Sequence, residues 1–181
     1  KKIPNRKLLL LDQLVPSLPG NYGVIYQDFE NDAYHALTDN KDLFKKYRKI
    51  NVITSPNSLY YSLISKGILK FCNENEMNFA CFTKFNASDI KADEIYIILN
   101  RQLDQELIDI LKTIKDKEIV LGKEVGVISY NESPINEFIM NGLTVLSTDF
   151  YEMGKWAGEM IKNKSLKKIR NKFELIVRET L

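Results

Sequence analysis

The chain has 181 residues and is 44% hydrophobic, which is enough to bury a sizeable core as one or two compact units. Its 26 basic and 24 acidic residues leave a net charge of +2, too small by itself to indicate a nucleic-acid-binding surface. No apolar run approaches the roughly 18 residues of a membrane span and no signal peptide opens the sequence, so we expect no membrane-spanning helix.

Strands and helices are predicted to alternate along the chain. Short apolar runs predict strands at residues 8–11, 23–26, 50–54, 78–82, 94–99, 125–129, 143–146 and 174–177. Apolar residues at helical spacing predict helices at 29–47, 55–71, 103–115, 134–140 and 150–161. Parallel neighbouring strands need a crossover between them, so the alternation predicts an α/β fold with a doubly wound, mostly parallel sheet.

Local signals predict how the last helix begins and packs. Asp149 and Glu152 have the spacing of a capping box. Gly154 and Gly158 lie four residues apart, which predicts close approach of a neighbouring element. The basic run 162–172 is predicted to be a solvated helix end and loop. The apolar face that this helix is expected to bury comprises Phe150, Met153, Ala157, Met160 and Ile161.

Signals for catalysis are poor. The single histidine, His35, has no matched carboxylate and is expected on the surface. No P-loop, nucleophile elbow, GxGxxG or HExxH motif occurs. Cys72 and Cys81 belong to no CxxC pair, and we expect both to be buried free thiols. The sequence therefore predicts no enzyme, and it predicts no cofactor or metal site.

Polar residues follow the predicted strands. In open parallel sheets ligands bind beyond the carboxyl ends of the strands, where amides, carboxylates and hydroxyls can bind an uncharged ligand such as a sugar. Capping and turn chemistry accounts equally well for Asp28, Ser55 and Asp149. For Asn100 and Asn131 both interpretations stay open. The complete set is Asp12, Gln27, Asp28, Ser55, Thr83, Asn100, Arg101, Asn131, Glu132, Thr148 and Asp149.

Three segments near the end of the chain carry a family resemblance. They read GVISYNE at 126–132, GLTVLSTDFYEMG at 142–154 and FELIVRETL at 173–181. This series resembles the end of lac-repressor-like sugar-sensing domains, including those carried behind GntR-type winged-helix DNA readers. The resemblance implies a periplasmic-binding-protein-like type I fold, made mainly of the C-terminal lobe with part of the N-terminal lobe.

The resemblance also implies a set of effector contacts. Asn131 and Glu132 match the acidic pair that grips sugar hydroxyls, and Asn100 matches an asparagine that touches the effector. The family's sugar-holding arginine is replaced here by Ile64, and Arg101 is a hypothetical substitute for it. The implied effector-binding residues, expected to converge on one cleft, are Asp12, Asn100, Arg101, Asn131, Glu132, Thr148 and Phe150.

A division into lobes follows from the same resemblance. Residues 1–27 and 146–168 are expected to form a partial N-terminal lobe, and residues 28–145 and 169–181 the C-terminal lobe. The winged-helix DNA-binding domain is expected outside this chain. A compact single domain is the alternative.

The leading functional hypothesis is a small-molecule sensing and dimerisation domain of a bacterial transcription regulator, binding a sugar or sugar derivative. Such a regulator would be a cytoplasmic homodimer that contacts DNA through a separate domain and does not contact the membrane. An extracytoplasmic sugar-binding protein of a transporter is the second hypothesis. A remoter third is an α/β enzyme that uses Asp12 and Glu132 as its acid–base pair.

Overall fold

The computed structural model describes residues 3–55, 58–100 and 105–181. Within them the chain forms two compact units, one holding the residues up to Asp28 together with Thr148–Phe173, the other Phe29–Ser147 and Glu174–Leu181. The strands are β1 (Leu9–Asp12), β2 (Gly23–Tyr26), β3 (Lys49–Ile53), β4 (Asn78–Phe82), β5 (Glu94–Ile98), β6 (Val125–Tyr130), β7 (Thr144–Thr148), β8 (Lys168–Arg170) and β9 (Phe173–Ile176). The helices are α1 (Phe29–Thr38), α2 (Leu59–Glu74), α3 (Gln105–Asp116) and α4 (Phe150–Lys162). The predicted α/β fold class is confirmed.

The second unit is built on a six-stranded sheet in the order β4-β3-β5-β6-β7-β9. The pairs β3–β4, β3–β5, β5–β6 and β6–β7 are parallel. The chain moves outward from β3 to β4 but in the opposite direction from β5 to β6, and right-handed crossovers then place α2 and α3 on opposite faces. The sheet is therefore doubly wound, with its switch point between β3 and β5.

Both faces of this sheet are covered by apolar packing. On one face α3 contributes Leu107, Ile110 and Ile114 to a buried cluster with side chains of β3, β5, β6 and β7. The strands β5, β6 and β7 are buried along their whole length, as expected of parallel strands covered on both sides. The two helices α1 and α2 pack closely at Gly67, where an added Cβ would collide with the carbonyl oxygen of Glu30.

The first unit holds a parallel three-stranded sheet in the order β1-β2-β8, on which α4 packs. The buried cluster between this sheet and α4 consists of Ile25, Met153 and Met160, and Tyr22 and Val24 of the same unit are also buried. Contrary to prediction, Phe150 and Ile161 of α4 are 51% and 68% exposed. A three-stranded sheet covers only the narrow stripe of α4 that carries Met153, Ala157 and Met160, so flanking apolar residues stay in solvent.

None of three local predictions for this unit held in full. A Cβ on Gly154 or Gly158 would have no neighbour within 4 Å among the described residues, so neither glycine marks a close approach. The basic run contains the short strand β8, which pairs with β2. The capping box is half formed. The Asp149 carboxylate accepts from the N–H of Glu152 at 2.8 Å, but the Asp149 N–H is used by the carbonyl of Lys172.

Other corrections concern the second unit. The helix predicted at 29–47 ends at Thr38 and is followed by a 3-10 turn at Lys41–Phe44. Segment 134–140 forms a 3-10 turn at Pro134–Glu137 and enters a second at Ile139–Asn141, which is kinked at Met140 with φ 51°. The first turn of α2 is capped by Ser58, so Ser55 does not cap it. Cys72 is buried as expected but Cys81 is exposed, because β4 is an edge strand.

Candidate ligand-binding site

Asn100 lies beyond the carboxyl end of β5, at the switch point of the second unit's sheet. Its side chain is half-buried, and its Oδ1 atom is fully buried without a hydrogen-bond partner in the described part of the chain. A buried carbonyl oxygen without a partner costs about 1–3 kcal/mol, which a ligand hydroxyl would offset. The switch point is where open α/β sheets bind ligands, and ligand contact by Asn100 stays a prediction.

Asn131 follows the neighbouring strand β6 in a left-handed backbone conformation, with φ 66°. Its N–H donates to the carbonyl of Leu146 at 2.8 Å, and its carbonyl accepts from Asn136 Nδ2 at 3.3 Å. Asparagine adopts positive φ more readily than most residues. The turn therefore fixes where the Asn131 side chain begins, at the same sheet edge as Asn100.

The carboxylate of Glu132 is bound by Arg178 through both of its oxygens. Arg178 Nη1 and Nη2 donate to Oε2 and Oε1, each at 3.0 Å, in the bidentate geometry that makes such pairs strong. Arg178 Nη1 also donates to the carbonyl of Leu143 at 2.9 Å, and the Glu132 N–H donates to Ser147 Oγ at 2.9 Å. This edge of the sheet therefore carries a carboxylate whose charge is neutralised by Arg178. The other predicted contacts at this edge, Asn100 and Asn131, are amides.

In the first unit, polar side chains follow all three parallel strands. Asp12 ends β1 at φ 76°, and partial burial raises the pKa of its carboxyl. Gln27 follows β2 and is 5% exposed, with both amide atoms buried and without partners among the described residues. Asn171 follows β8, where its Nδ2 donates to the carbonyl of Asp149 at 2.9 Å while its Oδ1 has no described partner.

Backbone hydrogen bonds tie these three residues into one edge. The N–H of Gln27 donates to the carbonyl of Asp12 at 3.0 Å, and the N–H of Asn171 donates to the carbonyl of Tyr26 at 2.8 Å. The ladder of the sheet thus continues one residue beyond each strand, and it holds Asp12, Gln27 and Asn171 in a row. The first unit carries its own polar row at the carboxyl edge, matching that of the second unit in chemistry.

Two of the remaining predicted contacts lie in the first unit, and a third lies outside the described residues. Thr148 ends β7 and is buried, and Phe150 is the first residue of α4. Arg101 lies outside the described residues. Ile64 is fully buried in α2, so this position serves packing in place of a charge. Convergence of the predicted residues on one cleft stays a prediction.

Three residues of these edges were not among the predicted contacts. Gln27 was recognised only as a polar residue after a strand. Asn171 was hidden in the basic run, which gave no strand signal. Arg178 was recognised only as the arginine that ends the last strand, since its partner Glu132 is 46 positions away.

Comparison with known proteins supports the fold. No protein-family model and no curated protein sequence matches the chain, but solved structures match it. The transcriptional repressor ascG of Escherichia coli aligns with TM-score 0.72 and 14% identity over 96% of this chain and 68% of its own. A transcription regulator like protein from Staphylococcus haemolyticus aligns with TM-score 0.71 and 14% identity over 96% and 66%.

A third structure was solved with a sugar. It is a periplasmic binding protein/LacI transcriptional regulator from Alkaliphilus metalliredigens QYMF complexed with D-xylulofuranose, and it aligns with TM-score 0.66 and 20% identity over 95% of this chain and 69% of its own. This chain therefore spans about two thirds of the length of such structures. Its structural neighbours are LacI-type transcriptional regulators and their effector-binding domains, and it has their periplasmic-binding-protein-like fold.

No helix among residues 3–55, 58–100 and 105–181 is long and apolar enough to cross a membrane. The same residues contain no group of three or more histidine, cysteine, aspartate or glutamate side chains placed to hold a metal ion.

Proposed function

We propose that this chain is the effector-sensing part of a bacterial transcription regulator, and that its effector is a sugar or a sugar derivative. The observation that carries the proposal is the pair of polar rows at the carboxyl edges of the two sheets, represented by Gln27 and Asn171 in one unit and Asn100 in the other. Each row contains buried amide atoms without described partners. The LacI-type fold of the chain supports the same function.

The chemistry of the rows favours a neutral, hydroxyl-rich ligand. Amide groups both donate and accept hydrogen bonds, as sugar hydroxyls do. The acid in the second unit, Glu132, is neutralised by Arg178, so it offers little net charge to a ligand. The arginine that the family uses to hold a sugar is absent at Ile64. Binding would therefore rest on several amide hydrogen bonds, and Asn131 and Thr148 are proposed to add to them.

In the proposed mechanism the effector binds one conformation of the regulator more tightly than the other. That difference in affinity shifts the population, and the shift changes DNA binding by a winged-helix domain of GntR type that precedes this chain. The regulator would act as a homodimer in the cytoplasm, without a cofactor. The proposed effector contacts are Asp12, Gln27, Asn100, Arg101, Asn131, Glu132, Thr148, Phe150 and Asn171.

Calorimetry of the full-length regulator against a panel of monosaccharides and sugar phosphates tests the proposal. We expect one compound to bind, and Gln27→Ala and Asn100→Ala each to weaken it at least tenfold. Asn86→Ala, on an exposed turn of the second unit, is the matched control and should leave the affinity unchanged. Absence of binding by every compound would refute a sugar sensor.

A double-mutant cycle tests whether the two rows serve one ligand. If Gln27 and Asn100 contact the same molecule, the losses from the single variants should not add in the double variant. Strict additivity together with two independent binding events would mean that each unit binds its own ligand.

The same fold leaves an extracytoplasmic sugar-binding protein as the second candidate. The observation in its favour is the neighbour whose name joins the two classes, the periplasmic binding protein/LacI regulator that binds D-xylulofuranose. The coding sequence ahead of this segment distinguishes them. A winged-helix domain supports the regulator, whereas a signal peptide supports the transporter component.

A further inference from the structure

A groove in the second unit, between α2 and the edge strand β4, is lined mainly by hydroxyl groups. We call it the hydroxyl groove. Its volume is about 310 Å³, at the lower end of the range of roughly 300–1,000 Å³ found for ligand pockets. The hydroxyls come from the end of β3, from one side of α2 and from the residue after β4. They belong to Thr54, Ser55, Ser58, Ser62, Ser65 and Thr83.

Two of these hydroxyls are buried without a partner. Thr54 is only 8% exposed, and its Oγ1 atom has no hydrogen bond in the described part of the chain. The Oγ atom of Ser65 is likewise buried without a hydrogen bond in the described part of the chain. A serine inside a helix commonly donates back to the carbonyl four residues earlier, and Ser65 makes no such bond. Buried polar groups are nearly always hydrogen-bonded, so two orphaned hydroxyls lining one cavity point to a ligand.

The surroundings of the two hydroxyls select a neutral ligand. The groove contains one charged group, Lys66, which lies on the exposed side of α2, and no carboxylate lines it. Thr54 itself is buried, so an anion that reached its hydroxyl would lose hydration there and gain a single, solvent-exposed lysine as counter-charge. A neutral hydroxyl group loses far less on burial and can both donate to and accept from Thr54 and Ser65.

The remaining walls fit the carbon skeleton of such a ligand. Leu69 and Phe79 supply apolar surface on opposite sides of the groove, one from α2 and the other from β4. An apolar wall beside hydroxyl donors and acceptors matches a small polyol, which has C–H surface and hydroxyls together. We propose that the hydroxyl groove binds a small neutral polyhydroxy compound, no larger than a monosaccharide. Ser55 and Thr83 of the predicted strand-end set line this groove, but Asn100, Asn131 and Glu132 do not, so the proposal does not rest on those three proposed effector contacts.

The chain carries its own reporter for this groove. Cys81 of β4 is exposed and lines the groove. The only other cysteine, Cys72, is buried, and burial raises the pKa of its thiol to about 12. Thiol reagents attack thiolates that they can reach, so in the native protein Cys81 should react alone.

The experiment measures the rate at which a chromogenic disulfide reagent modifies native protein in the presence of glycerol, ribose, glucose or inositol. We expect at least one of these polyols to slow the reaction of Cys81 at least threefold, with saturation. Inorganic phosphate at the same concentrations should not protect. Absence of saturable protection by every polyol, or protection by phosphate alone, would overturn the proposal.

Variants show whether protection comes from the groove. Thr54→Val replaces the buried hydroxyl by a methyl group of nearly equal size, so the protein should fold, and protection should be lost. Ser65→Ala serves the same purpose if Thr54→Val alters the melting temperature. Thr113→Val, on α3, is the matched hydroxyl deletion outside the groove and should keep full protection.

One further variant separates the groove from the proposed effector site. Asn100→Ala should keep the protection of Cys81 even where it abolishes effector binding. Loss of protection in Asn100→Ala but not in Thr54→Val would mean that the polyol binds at the strand ends. That result would overturn the groove and leave the proposed function standing.

Discussion

The two units of this chain share one sheet architecture but differ in how far they bury it. The second unit covers a six-stranded sheet on both faces, so that β5, β6 and β7 are wholly buried. The first unit covers three strands with one helix, and its buried cluster under that helix holds Ile25, Met153 and Met160. Yet both units end their strands in buried amides. Polar strand ends therefore do not depend on a large core.

Apolar runs decided which strands the sequence could predict. The strands of the second unit, and β1 and β2 of the first, were predicted to within two residues because each contains such a run. In the first unit β8 reads Lys168-Ile169-Arg170, with one apolar residue between two basic ones. Its strand conformation is stabilised by pairing with β2, which no local pattern reveals.

The candidate site shows a similar division. Asn100 and Asn131 could be found because each directly follows an apolar strand. The pairing of Glu132 with Arg178 depends on where β9 lies in the sheet, which is decided by the whole fold. Gln27 needed knowledge of burial, since only a buried amide without a partner differs from an ordinary turn residue.

A pair of glycine substitutions should give the largest difference in stability between the two units. Gly67→Ala places a methyl group against the backbone of α1, and we expect the second unit to lose about 3 kcal/mol of unfolding free energy. Gly154→Ala, on the open side of α4, should instead stabilise the first unit by about 1 kcal/mol through helix propensity. Urea denaturation of both variants measures the difference. Equal effects would contradict the packing described for α1 and α2.

Substitution of Glu132 and of Glu152 compares a largely buried ion pair in the second unit with an exposed ion pair in the first. Glu132→Gln removes the charge that pairs bidentately with Arg178, at a site where both side chains are largely buried, and should cost about 2 kcal/mol. Glu152→Gln removes the exposed pair with Lys155 in the first unit and should change stability by less than about 0.5 kcal/mol. Thermal unfolding at low and high salt checks both values. A loss from Glu132→Gln that salt abolishes would mean the pair is solvated.

Removing a buried hydroxyl should stabilise the second unit. The Tyr47 hydroxyl is buried without a partner in the described chain, and burial raises its pKa to about 12. Tyr47→Phe should raise the unfolding free energy by about 1 kcal/mol. The raised pKa also means that the wild type loses stability as the pH rises from about 10 to 12, because the unfolded tyrosine ionises first.

Denaturation of Tyr47→Phe across that pH range tests whether ionisation of Tyr47 lowers the stability of the wild type as the pH rises. The variant should lose less stability than the wild type, although not none, because the pKa of Tyr96 is also raised by burial. Identical alkaline profiles for the two proteins would show that the Tyr47 hydroxyl is solvated.

The smallest effect is expected at Asp12 in the first unit. Partial burial raises the pKa of this carboxyl, so the charged form is disfavoured in the folded state. Its contribution to stability is fully present below the unfolded pKa near 4 and is lost as the pH rises through the folded value. Asp12→Asn should therefore be more stable than the wild type at neutral pH, and the difference should disappear towards pH 3. A constant difference at all pH values would point to a cause other than ionisation.

The positive φ angles of Asp12 and Asn131 limit which residues can replace them. Aspartate, asparagine and glycine occupy that backbone region at the lowest cost, and most other residues lose about 1–2 kcal/mol there, so these three are favoured at both positions. A new specificity acquired during evolution would have to come from other positions, or from exchanging a carboxylate for an amide at these two. In a library that randomises Asp12 and Asn131, most members should be less stable than the wild type, by about 1–2 kcal/mol for each replaced residue, which thermal unfolding would measure.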